Sequence, residues 1–134
     1  MQLTNNLEKR LNLAIQIAKD SGHEFVSLEH ILLALADDEE VSEILAGCGG
    51  DEELLKRDLK EFLEKHCPKI PTDEKMAENW KPALTVAFQR VLQRAILQVQ
   101  SADREEVSPG SVLIALLREE ESFAVSFLAK QGIS

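Results

Sequence analysis

The stretch Leu3–Leu35 recurs without a gap as Leu84–Leu116, an offset of 81 positions. Thr4 falls on Thr85, Leu7 on Phe88, Leu11 on Leu92, Ala14 on Ala95, Ile15 on Ile96 and Ala18 on Val99. Farther along, Glu24, Val26 and Ser27 fall on Glu105, Val107 and Ser108, and Ile31–Leu35 falls on Val112–Leu116. Two extra residues in the second copy then bring Leu45 onto Leu128, Ala46 onto Ala129 and Gly49 onto Gly132. A unit of this size cannot bury its own apolar face, so a duplicated one folds by packing its copies together.

Each copy reads as helices. Leu7, Leu11, Ala14, Ile15 and Ala18 recur at helical spacing on one face, as do Phe88, Leu92, Ala95, Ile96 and Val99. Both stripes are read as core, with Leu11 and Leu92 equivalent and buried. Ser27 and Ser108 stand where a hydroxyl caps the next helix, and Pro109 occupies a first helical position that needs no N–H. A third short helix spans about 39–47 and ends at glycines; its counterpart spans about 120–130, before Gly132. Asp51 opens a fourth helix in the first unit, with Leu54, Leu55, Leu59 and Phe62 on its apolar face. Pro68 and Pro71 stop it near His66. No strand is expected. The fold class is all-α, two pseudo-symmetric repeats of about four short helices packed as one domain. Repeat one covers 1–66, a linker with three prolines and Trp80 covers 67–83, and repeat two covers 84–134. Under the two-residue shift Asp51 matches Ser134, so the last helix of the second unit is expected beyond the sequence.

The function classes narrow by elimination. A length of 134 residues with 44% hydrophobic content makes one domain with a core. A net charge of −9 works against nucleic-acid binding and favours basic partners. No apolar run approaches the ~20 residues that span a bilayer. Met1–Asn6 lacks the basic start of a signal peptide, so the expected compartment is the cytoplasm. Cys48 and Cys67 form no CxxC pair and read as reduced thiols. Neither GxxxxGK[ST] nor GxGxxG occurs, so no ATP site is expected in this segment. His23 and His30 are seven apart, not an HExxH pair, and read as packed or helix-start histidines. His66 and Cys67 are neighbours that rarely complete a metal site alone. No GxSxG elbow is present. No catalytic, cofactor or metal residues are assigned, and the run Asp37–Glu40 reads as a solvated helix start.

His23–Leu35, HEFVSLEHILLAL, resembles the opening repeat of the N-terminal domains of Clp-type AAA+ unfoldases. Phe88–Ala95, FQRVLQRA, followed by Gln98–Ser101, QVQS, is similar to the second repeat of the A type, ClpA. With the duplication, the resemblance covers nearly the whole chain. It implies a substrate- and adaptor-docking domain, monomeric in isolation, without catalysis of its own. The parent would be a hexameric ATPase that uses ATP and Mg and feeds the ClpP peptidase. The implied partners are a ClpS-type adaptor and unfolded or degron-tagged proteins. The positions that match adaptor contacts in A-type domains are Glu24, Glu29, Thr85 and Arg90. A phosphoarginine receptor, as in C-type domains, needs a carboxylate in both repeats. Leu28-Glu29-His30 has one, whereas Pro109-Gly110-Ser111 does not, so one such pocket at most remains. A free-standing helical regulator of the same fold is the third reading.

Overall fold

A computed structural model describes residues 2–69 and 80–133; most of the linker, Pro71 and Ser134 lie outside the described residues. The order is β1 (Gln2–Leu3), α1 (Asn5–Asp20), β2 (Phe25–Val26), α2 (Leu28–Leu35), α3 (Glu39–Gly47) and α4 (Glu52–His66). The second unit follows with β3 (Ala83–Leu84), α5 (Val86–Ser101), β4 (Glu106–Val107), α6 (Pro109–Leu116) and α7 (Phe123–Lys130).

The duplication extends to individual hydrogen bonds. Thr4 caps α1 by accepting the Leu7 N–H at 3.1 Å, and Thr85 caps α5 by accepting the Phe88 N–H at 3.1 Å. At α2 and α6 the third helical residue reaches back to the cap. His30 Nδ1 accepts the Ser27 N–H at 2.9 Å, and Ser111 Oγ accepts the Ser108 N–H at 3.2 Å. Both α3 and α7 end on a left-handed glycine, Gly49 at φ 80° and Gly132 at φ 81°. The residue after each glycine donates its N–H back, Gly50 to Leu45 O at 2.8 Å and Ile133 to Leu128 O at 3.0 Å. α7 starts at Phe123 rather than near 120, because Ser122 caps the Val125 N–H and Glu119 is drawn away to Arg90 and Arg94.

Among the described residues, four two-residue strands correct the expectation of none. β1 pairs in parallel with β4, and β2 with β3, so each unit's opening strand pairs with a loop of the other unit. The Gln2 and Thr4 N–H groups donate to Glu105 O and Val107 O at 3.1 and 3.0 Å. Their counterparts Ala83 and Thr85 donate to Glu24 O and Val26 O at 3.3 and 3.0 Å. The exchange sets the two units about a pseudo-twofold axis.

α1 packs on α2 and α5 on α6, while α2, buried at every residue, is also covered by α4, α6 and α7. Leu7, Ala14 and Ala18 are buried on α1, as are Phe88, Val91, Ala95 and Val99 on α5. Leu11 and Leu92 are equivalent, as expected, but both are half-buried, as are Ile15 and Ile96. Each stripe is wider than the cover it receives. On α4 the buried positions are Leu55, Leu59 and Leu63, with Leu54 and Phe62 at the edge. The face that α4 covers in the first unit is open in the second: Leu33 is 6% exposed and its counterpart Ile114 is 55% exposed.

The turn after α1 needs a left-handed residue, Gly22 at φ 69°, and its counterpart after α5 is Asp103 at φ 57°. A side chain there is strained, although aspartate bears it better than most. Asp103→Gly should raise stability by about 0.5–1 kcal/mol, read as a higher denaturant midpoint at unchanged slope.

Candidate docking surface

Where the half-buried halves of the α1 and α5 stripes face each other, an open groove of about 350 Å³ remains. Its walls are Leu3, Leu11 and Ile15 on one side and Leu84, Phe88 and Leu92 on the other, with Glu8 and Asn12 as polar members. The volume lies at the lower end of the range of ligand clefts.

Beside the groove, Glu24 precedes β2 and Thr85 follows β3, so the two flank opposite ends of the strand pair. Glu24 is exposed, its N–H donating to Pro68 O at 2.9 Å and its carbonyl accepting from Ala83. Thr85 Oγ1 accepts the Phe88 N–H as the cap of α5, which leaves the hydroxyl hydrogen to donate elsewhere. Arg90, five residues on, stands about 7.5 Å farther along α5. Exposed, it is held in a forked pair by Glu119, whose carboxyl is pulled below its ordinary pKa, chiefly by that hydrogen bond. Around Glu24 and Thr85 the surface is apolar: Phe25 is 40% exposed and Val86 74%. The counterparts at the β1–β4 end are Glu106 and Asn5, so the patch exists on one side of the axis only.

Glu29 does not stand at this surface. It is 9% exposed, and its Oε2 accepts the Ala124 N–H at the start of α7 at 3.2 Å. Burial raises its pKa, against hydrogen bonds from Ala124, Ser27 and its own backbone that lower it. The N-termini of α2 and α7 meet here, and both their dipoles favour one carboxylate between them. At the pseudo-equivalent meeting of α6 and α3 the position of Glu29 is Gly110. There the carboxylate comes from the opposite helix: Glu40 Oε1 accepts the Gly110 N–H at 2.6 Å. A methyl group on Gly110 would lie 2.8 Å from the Glu40 carboxyl carbon, so the glycine makes room for it. The run Asp37–Glu40 is therefore more than a solvated start, since Asp38 is also buried, capping α3 through the Val41 N–H at 3.2 Å.

The fold also gathers His23, His30 and Cys67, whose ligating atoms lie within 4.8 Å of one another. Sequence spacing gave no hint of this, because β2 and the turn after α4 meet only in three dimensions. His30 Nδ1 accepts the Ser27 N–H, so its proton sits on Nε2 and donates to His23 Nδ1 at 2.9 Å. That tautomer leaves no lone pair on His30 Nε2 for a cation, and the cluster is a buried hydrogen-bond chain. Adding a proton to either ring sets two N–H groups against each other. Burial pushes the His30 pKa down to about 4, helped by the charge on His23, and burial and Lys69 lower that of His23. Burial, with Glu29 nearby, raises the Cys67 thiol.

Comparisons with known proteins agree with this architecture. The family profile described as the Clp repeat N-terminal domain matches residues 2–131. A ClpA homolog protein of Fuscovulum blasticum is 37% identical over 131 residues, 98% of this chain and 16% of that protein. The Hsp104 N-terminal domain of Candida albicans superposes with a TM-score of 0.83 at 19% identity, over 100% of this chain and 84% of the other. The ClpV N-domain in complex with a VipB peptide superposes with a TM-score of 0.79 at 21% identity, over 99% and 79%.

Proposed function

The chain belongs to the Clp repeat N-terminal domain family, and from that premise we propose that it docks polypeptide segments for an unfoldase and performs no chemistry itself. The observation that carries the reading is the open leucine-lined groove between α1 and α5. The ClpV N-domain, which shares this fold, has been solved with a peptide bound. Glutamate in place of Leu11 or Leu92 sets a carboxylate in the wall of the groove. Each variant should weaken binding of a fluorescent unfolded polypeptide by about tenfold or more, the equivalent of ~1.4 kcal/mol. Because both positions are only half-buried, the melting temperature should fall by no more than a few degrees. Undiminished binding by both variants would remove the groove from the docking surface.

The finer reading is a ClpA-like parent, an AAA+ hexamer using ATP and Mg in the cytoplasm, that passes proteins to ClpP. Its ClpS-type adaptor docks at the β2–β3 end. The one-sided apolar patch of Phe25 and Val86 supports it, with Glu24, Thr85 and Arg90 as polar contacts. Glu29 enters indirectly, by holding α2 and α7 in place. Glu24→Lys and Arg90→Glu should each slow adaptor association and weaken or invert its salt dependence. Titration of the adaptor at two salt concentrations checks this, and natural affinity in both variants would exclude these residues. Removal of residues 1–134 from the parent should abolish adaptor-delivered degradation and spare ATP hydrolysis.

A further inference from the structure

We propose that the groove takes an apolar peptide segment in both chain directions, and that Glu8 sets which direction predominates. This rests on the docking reading above. Leu3 and Leu84 are related by the 81-residue offset, as are Leu11 and Leu92, and both members of each pair line the groove. The pseudo-twofold axis therefore runs out through the groove mouth. A twofold operation that carries one wall onto the other also reverses any chain lying across the axis. Turned end for end, a bound segment meets equivalent leucines in equivalent places. Apolar contact is non-directional, so the two leucine pairs do not distinguish the two senses, although Ile15 and Phe88 line the groove without their counterparts Ile96 and Leu7.

Charge does distinguish them. Glu8 lies on the α1 wall, and its counterpart on α5 is the neutral Gln89. No lysine or arginine lines the groove among the described residues. The fitting occupant is thus a segment of unfolded protein with an apolar centre and a lysine or arginine at one end, the basic end lying beside Glu8. Both positions are exposed in the first turns of their helices, one residue after Leu7 and Phe88, so a carboxylate suits either helix start equally.

The test uses a synthetic apolar peptide with one terminal lysine and a photo-crosslinking side chain next to it, with adducts mapped by mass spectrometry. On the natural chain, adducts should form on both walls. The α1 wall should be favoured about two- to fivefold, the bias an exposed ion pair supplies, and the bias should vanish at high salt. Glu8→Gln should equalise the walls, and the double variant Glu8→Gln, Gln89→Glu should favour the α5 wall. Adducts confined to one wall in all three chains would overturn the two-way groove while leaving docking intact. No saturable adduct in any of them would overturn the docking reading itself.

Discussion

A Glu29→Lys chain should melt roughly 10 °C or more below the natural one, as expected when a buried carboxylate is replaced by a like charge facing two helix N-termini. The carboxylate sits between the starts of α2 and α7 and accepts the Ala124 N–H. Lysine would leave that N–H without its acceptor and add a cation where both dipoles are already positive. Glu29→Gln keeps an acceptor and loses the charge, so it should fall between the two. Glu24→Lys, on the exposed strand, should shift the transition by only about 2 °C. Thermal unfolding followed by circular dichroism distinguishes these outcomes. Equal melting of the Glu24 and Glu29 variants would mean that the meeting of α2 and α7 does not depend on the carboxylate.

Acid should destabilise the domain before most carboxylates titrate. His30 has a folded pKa of about 4 against an ordinary 6.5, so the unfolded chain binds a proton that the folded one refuses. Stability is therefore complete above about pH 6.5, falls as pH drops below it, and levels off near the folded value. From about pH 7.5 to about pH 5 the loss from His30 alone is about 2 kcal/mol. His23 shifts in the same direction and adds to it. Glu29, whose folded pKa is raised, acts the other way as it takes up its proton, which softens the acid end of the profile. His30→Gln retains a capping side chain at the third helical position without the titration. Its loss over the same range should shrink to the part that His23 contributes, as read by urea midpoints. A natural chain that loses nothing between those two pH values would rule out a neutral histidine pair.

The parts of the fold that were legible are the ones written locally. Ser27, Ser108, Pro109, Gly49 and Gly132 specify caps and stops through neighbours a few residues away, and the duplication doubled each signal. The strands were illegible because two residues are too few to show alternation, and each pairs with a partner in the other unit. Leu11 and Leu92 show the limit of periodicity: it identifies an apolar face and is silent on how much of that face is covered. Glu29 is ambiguous in the sequence for a related reason. A carboxylate in the first turn looks the same whether it serves its own helix in water or a second helix start pressed against it. The resemblance named Glu24, Glu29, Thr85 and Arg90 as contact positions, and of these the structure leaves Glu24 and Arg90 exposed, Thr85 half-buried and Glu29 buried. The exposed Phe25 and Val86 are ordinary apolar residues until the pairing of β2 with β3 brings their segments to one end of the domain.

The exchange of β1 and β3 has the geometry of a homodimer whose two copies trade their opening strands. A single unit alone would present both an unpaired strand and an unmatched loop, and a second copy turned through half a circle satisfies both at once. Joining the two units in one chain makes this assembly independent of concentration. It also removes the requirement that both halves stay alike. One half carries Glu29 where the other carries Gly110, and Glu40 supplies the second carboxylate instead, an arrangement that identical subunits could not adopt on one side alone.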